Sequence, residues 1–120
     1  MTLTFHSIDN DDNKIIYKTE YIKKDNLITF DDKSMENTQI HLTIESDSIH
    51  FQRVGDNEMD LMLIYNQKTT GFYKNSIGLE FEFEVFTSGL TINSKRISIE
   101  YTMFLEGNPM STHKIWILFH

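Results

Sequence analysis

Five histidines, eighteen carboxylates and no cysteine set the chemistry open to this chain of 120 residues. Without thiols it forms no disulfide, no thiolate nucleophile and no Cys-ligated zinc or iron–sulfur site. His6, His41, His50, His113 and His120 show no H-x-x-x-H or comparable spacing. His41 and His50 find no third ligand, so neither a metal nor a cofactor is expected. Asp9, Asp11, Asn13 and Glu20 fall where a calcium loop places its oxygens, but Lys14 stands where that loop requires glycine. A cation at the sharp turn opposes a second cation, and the stretch reads as an Asx-rich hairpin turn. There is no G-x-S-x-G elbow, phosphate loop or dinucleotide fingerprint. No catalytic residue is assigned, and the residues favour a non-enzymatic role over an enzyme using His113 for proton transfer.

The residue with the clearest chemical demand is Arg53. If segments 38–45 and 48–54 turn about Ser46-Asp47, Leu42 faces Phe51 and Ile44 faces Ile49. Ile40, Leu42, Ile44, Ile49 and Phe51 then share one face, and one further step brings Arg53 inward beside Ile40. An inward guanidinium needs a carboxylate or a bound anion, because an unpaired buried charge costs several kcal/mol. Asp31 and Asp32 end a strand at the same rim as Arg53. An Arg–Asp pair closing that end is the favoured reading, with an anchor for an anionic ligand as its competitor. His113 follows the apolar parity of Ile115, Ile117 and Phe119. If residues 90–92 form a separate strand, His113 lies at the opposite end from Arg53; otherwise the two share an end. Arg53, Tyr101 and His113, with Tyr73 added, are the expected ligand-lining residues.

The elements that must position these groups are strands. Alanine, the best helix former, is absent, while Ile, Val, Thr, Phe, Tyr and Trp make up 44 of 120 residues. Strands are expected at 2–8, 14–22, 27–32, 38–45, 48–54, 59–66, 70–74, 79–87, 90–92, 96–106 and 110–119. Asp, Asn and Gly clusters punctuate them, and no window carries a helical period. One domain spanning 1–120 is expected. In the strand at 79–87, Phe81, Phe83 and Val85 should face inward and Glu80, Glu82 and Glu84 water, since three carboxylates inside a small barrel would be costly. The final strand is apolar on both faces, so Trp116 and Leu118 must be covered by a neighbouring element, a terminus or another subunit.

The net charge is −7, with thirteen acids against six bases in residues 1–60 and five against five thereafter. No cluster of basic residues suits nucleic acid or an anionic membrane. No stretch is apolar enough to be a membrane helix, and the first residues lack a signal-peptide pattern, so a cytoplasmic protein is expected.

Arg96-Ile97-Ser98-Ile99-x-Tyr101-x-Met103, then His113 with Ile115, Ile117 and Phe119, resembles the C-terminal hairpin of the YwiB-like bacterial proteins. Arg53-Val54-Gly55, Gly78 and the Asp31-Asp32 pair extend the likeness upstream. Asn75-Ser76 departs from the family's Thr-Pro, and the alternation after Gly78 is shifted by one residue, which implies a bulge near Gly78 or a different alignment. The resemblance implies an all-β, antiparallel up-and-down calycin-like barrel of about eight to ten strands. It also implies a family of unestablished function, found mainly in low-GC Gram-positive bacteria. The chain lacks the G-x-W of secreted lipocalins and the helical lid of intracellular fatty-acid-binding barrels. The expected function is binding of a small anionic or amphipathic ligand in or at the mouth of the barrel. The alternative is an interaction module with a filled barrel, monomeric or dimeric, meeting its partner through Trp116 and Leu118.

Overall fold

The computed structural model describes all 120 residues. The chain forms ten antiparallel strands and no helix. They are β1 (Thr2–Asp9), β2 (Lys14–Lys24), β3 (Leu27–Asp31), β4 (Thr38–Ile44), β5 (Ser48–Gly55), β6 (Glu58–Ile64), β7 (Lys68–Lys74), β8 (Glu80–Ile92), β9 (Arg96–Leu105) and β10 (Asn108–Phe119). Each strand pairs with the next, and β10 returns to pair with β1, so the sheet closes on itself. Closure gives every strand two neighbours, although the ladder between β6 and β7 spans only three residue pairs. No helix is long and apolar enough to cross a membrane.

Alternation of side chains fixes what faces the axis. Seventeen buried side chains fill the lumen, among them Leu3, Phe5, Ile40, Leu42, Phe51, Leu61, Leu63, Ile97, Ile99 and Ile117. The β4–β5 register is the one expected, with Leu42 opposite Phe51, Ile44 opposite Ile49 and Ile40 opposite Arg53. Phe83 and Val85 are buried and Phe81 packs against the core, while Glu80, Glu82 and Glu84 face solvent. Gly71 makes room for this arrangement: a methyl group there would lie 2.6 Å from the Phe83 ring and 2.9 Å from Leu61.

Two expectations are corrected. The segments 79–87 and 90–92 are one strand, β8, interrupted by a bulge between Thr87 and Gly89. Ser88-Gly89 carries the composition of a turn but inserts an extra residue into a continuing ladder. Its effect is to change the inward parity, so Thr87 faces the axis before the bulge and Leu90 and Ile92 after it. The β7–β8 ladder runs from Glu80 to Phe86 without a shift, so no bulge lies near Gly78, which sits with φ of 91° in the turn closed by Asn75. A second bulge falls at Pro109–Ser111, a position where proline's missing N–H does not break the ladder.

The Asp9–Asn13 segment is the expected Asx turn. Asp9 Oδ1 accepts from the Asp11 and Asn13 amides at 2.9 and 3.0 Å, and Oδ2 from the Asn13 side chain at 3.0 Å. Those hydrogen bonds hold the exposed Asp9 carboxyl below its ordinary pKa.

Candidate functional site

Because strands alternate in direction, the end of β5 lies at the same rim as the starts of β2, β4, β6, β8 and β10. With β8 continuous, Arg53 and His113 share this rim. The loop after β3 brings Asp32 under Arg53, and Arg53 Nε donates to Asp32 Oδ2 at 3.0 Å. The Asp32 side chain is 0% exposed and that of Arg53 11%. Asp32 Oδ1 accepts from both the amide and the hydroxyl of Ser34. Its neighbour Asp31 points outward to Lys33 and Gln39, so only the second carboxylate of the pair joins the site.

The guanidinium is only partly satisfied. Nη1 contacts Met59 Sδ at 3.6 Å, the carbon centre lies 5.4 Å from the Phe51 ring, and no protein group accepts from Nη2. Tyr17, which the sequence did not single out, also reaches this group. Its ring stacks on Phe5 at 5.0 Å, and its buried hydroxyl faces Asp32 outside hydrogen-bond geometry, leaving it without a partner. Burial first, and the Asp32 charge second, raise the Tyr17 pKa well above the ordinary phenol range. The available signal was parity, since Ile15, Tyr17, Thr19 and Tyr21 alternate with exposed residues along β2.

Across the rim, Tyr101 and His113 are register partners whose rings stack at 4.9 Å. His113 Nε2 lies 2.8 Å from the Ser111 hydroxyl. Burial lowers the His113 pKa; nearby Asp9 opposes that shift and Arg53 adds to it. Burial pushes Tyr101 up to about 12, with Arg53 opposing. Arg53 thus acts electrostatically on Tyr17, Tyr101 and His113 together. Tyr73 stands apart from this group, its ring packed on Phe81 at 5.4 Å and opposite Met59 in the β6–β7 ladder. A cleft of about 370 Å³ reaches Tyr101 and His113 from outside, and one of about 210 Å³ reaches Arg53 and Met59. At the opposite rim, Tyr21, Ile28, Ile44, Ile92, Ile97 and Phe119, together with polar loop residues, line a cleft of about 310 Å³.

A sequence profile described as a domain of unknown function (DUF1934) matches residues 2–117. The chain belongs to this family. The crystal structure of the ywiB protein from Bacillus subtilis matches with a TM-score of 0.68 and 20% identity, covering 99% of this chain and 90% of that one. At that identity the likeness establishes the shared barrel, and with the profile it bears out the YwiB-like resemblance of the C-terminal hairpin. No curated protein matches the chain significantly.

Proposed function

We propose that this DUF1934 barrel is a cytoplasmic, non-enzymatic binding protein that takes a small organic anion at the Arg53 rim. The observation that carries the reading is a guanidinium set in the barrel wall with no protein acceptor for Nη2 and the unpartnered Tyr17 hydroxyl nearby. A carboxylate or phosphate is the group that planar N–H donors recognise. Tyr101 and His113 supply an aromatic wall and a neutral imidazole at the same end. The interior beyond this rim is filled by side chains, so the ligand sits at the mouth rather than along the axis.

Native mass spectrometry of protein purified from a bacterial host, compared with the denatured sample, tests this directly. Excess mass that leaves on denaturation is expected. The Arg53→Lys variant keeps the cation facing Asp32 but lacks the second nitrogen, and should lose the bound mass while remaining folded. A bare chain in the wild type, or excess mass retained by Arg53→Lys, would count against the Arg53 site. A second reading, a filled barrel that acts through its outer surface, is favoured by the Asp32–Arg53 pair itself, which accounts for Arg53 without a ligand.

A further inference from the structure

The outer face of β2, β1, β10 and β9 carries an ordered array that the rim site does not use. Cross-strand register lays it out in three rows. The central row runs Ile16, His6, Trp116, Ser98. One flanking row is Lys18, Thr4, Leu118, Arg96, and the other is Lys14, Ile8, Lys114, Glu100. Apolar and aromatic groups therefore occupy the middle row, with Lys18 and Arg96 at the ends of one flank and Lys14 and Lys114, the latter beside Glu100, on the other. The Trp116 and His6 rings stack at 4.9 Å with 7° between their planes, and Ile16 is 65% exposed. His6 thus supplies part of the cover that Trp116 requires, while Ile16 beside it remains open to solvent.

The charge on this face opposes that of the rest of the molecule. Within these three rows four cations stand against one carboxylate, Glu100, giving +3, with Glu20 in the next row beyond Lys18; the remaining seven bases and seventeen acids of the chain give −10. Lys114 pairs with Glu100 at 3.7 Å, whereas Lys14 and Lys18 have no carboxylate within ion-pair distance. The rows span three strand spacings, roughly 14 Å, and Lys14 and Lys18 are roughly 13 Å apart along β2. An α-helix with its side chains is about 10–12 Å wide. Lying along the central row, it would place an apolar stripe on Ile16, His6 and Trp116 and carboxylates beside both cationic flanks.

We propose that this face binds an amphipathic acidic helix of a partner protein. A second copy of the chain is disfavoured in the symmetric arrangement, because each +3 face would meet its equal. Extended nucleic acid is disfavoured because its phosphates would run beyond this face onto a surface of −10, within a Debye length of about 8 Å. A short acidic segment meets only the cationic patch.

The test uses the full chain and a synthetic 16-residue peptide with leucines on one helical face and glutamates on both flanks. A scrambled peptide of the same composition and a single-stranded oligothymidylate of sixteen nucleotides serve as comparison ligands. Trp116 is the only tryptophan, so its fluorescence reports on the site directly. Saturable binding with a blue shift of Trp116 is expected. The scrambled peptide should bind at least about tenfold more weakly, as should the intended peptide to a Lys18→Glu/Arg96→Glu variant, a loss of about 1.4 kcal/mol. Both substituted positions are exposed, and circular dichroism confirms that the variant is folded. The proposal is overturned by no saturable binding, by indifference to charge reversal or scrambling, or by equal affinity for the oligonucleotide. Self-association that the charge reversal abolishes would also overturn it, by assigning the face to contacts between copies.

Discussion

Replacing Arg53 with Met isolates what the rim ion pair contributes to the fold. The Asp32 carboxylate is wholly shielded from water, and without the guanidinium it retains only the two donors of Ser34. Breaking a buried pair by removing one partner costs about 3–5 kcal/mol, and the complete burial of Asp32 places Arg53→Met in that range. Asp32→Leu should cost less, because the guanidinium left behind is 11% exposed and has a short path to water at the rim. The double variant replaces both charges by apolar groups and should recover to within about 1–2 kcal/mol of the wild type. Against a total stability of roughly 5–15 kcal/mol, the single variants remain folded but with a greatly reduced margin. Urea unfolding followed by circular dichroism and Trp116 fluorescence yields all four free energies of the cycle, with unchanged m-values as the check on two-state behaviour. The reasoning fails if Arg53→Met costs less than about 1 kcal/mol and the cycle closes without coupling. Arg53 would then be held in the wall for something other than closing the barrel.

Alkali should unfold the protein through its buried phenols. The unfolded chain releases the Tyr101 proton near pH 10 while the native state holds it to about 12, so stability falls as pH rises between those values. The loss should reach roughly 3 kcal/mol for Tyr101 and be absent from its share in Tyr101→Phe, as read from Tm against pH. His113 acts with the opposite sign on the acid side. Its folded pKa is depressed, so the unfolded chain binds the proton first and stability declines as pH drops below about 6.5. His113→Gln should flatten part of that decline in the same Tm series. Gly71→Ala drives a methyl group against Phe83 and Leu61 and should destabilise by about 1–3 kcal/mol. Adding Phe83→Leu, which removes the clashing ring atoms, should return part of that loss in urea unfolding.

The barrel was legible where one face is apolar and the turn between strands is short. In β4 and β5 the alternation of Ile40, Leu42 and Ile44 against Ile49 and Phe51 leaves a single register that puts all five on the core face, and that register places Arg53. The bulge in β8 was not legible, because Ser88-Gly89 has the same composition whether it ends a strand or kinks one. What decides between them is the continuing ladder to β9, a contact between distant residues. The site was half legible for the same reason. Asp32 and Arg53 could be brought to one rim by counting strand reversals, but Tyr17 lies on a strand whose apolar residues, Ile15 and Ile16, occupy both faces. Parity does separate Asp31 from Asp32, since Asp32 continues the inward alternation of Ile28 and Phe30 one residue beyond the end of β3.

The pairing of β1 with β10 has a temporal consequence. Leu3 lies opposite Phe119 and Phe5 opposite Ile117, across most of the length of the chain. Every other ladder joins sequence neighbours and can zip as the chain emerges, but this seam waits for the last strand. Until then the nascent protein is an open curl whose free β1 presents main-chain donors, acceptors and two core side chains to whatever is nearby. In the native barrel every strand has two partners, so exposure to misassembly is greatest in the interval before the ring shuts.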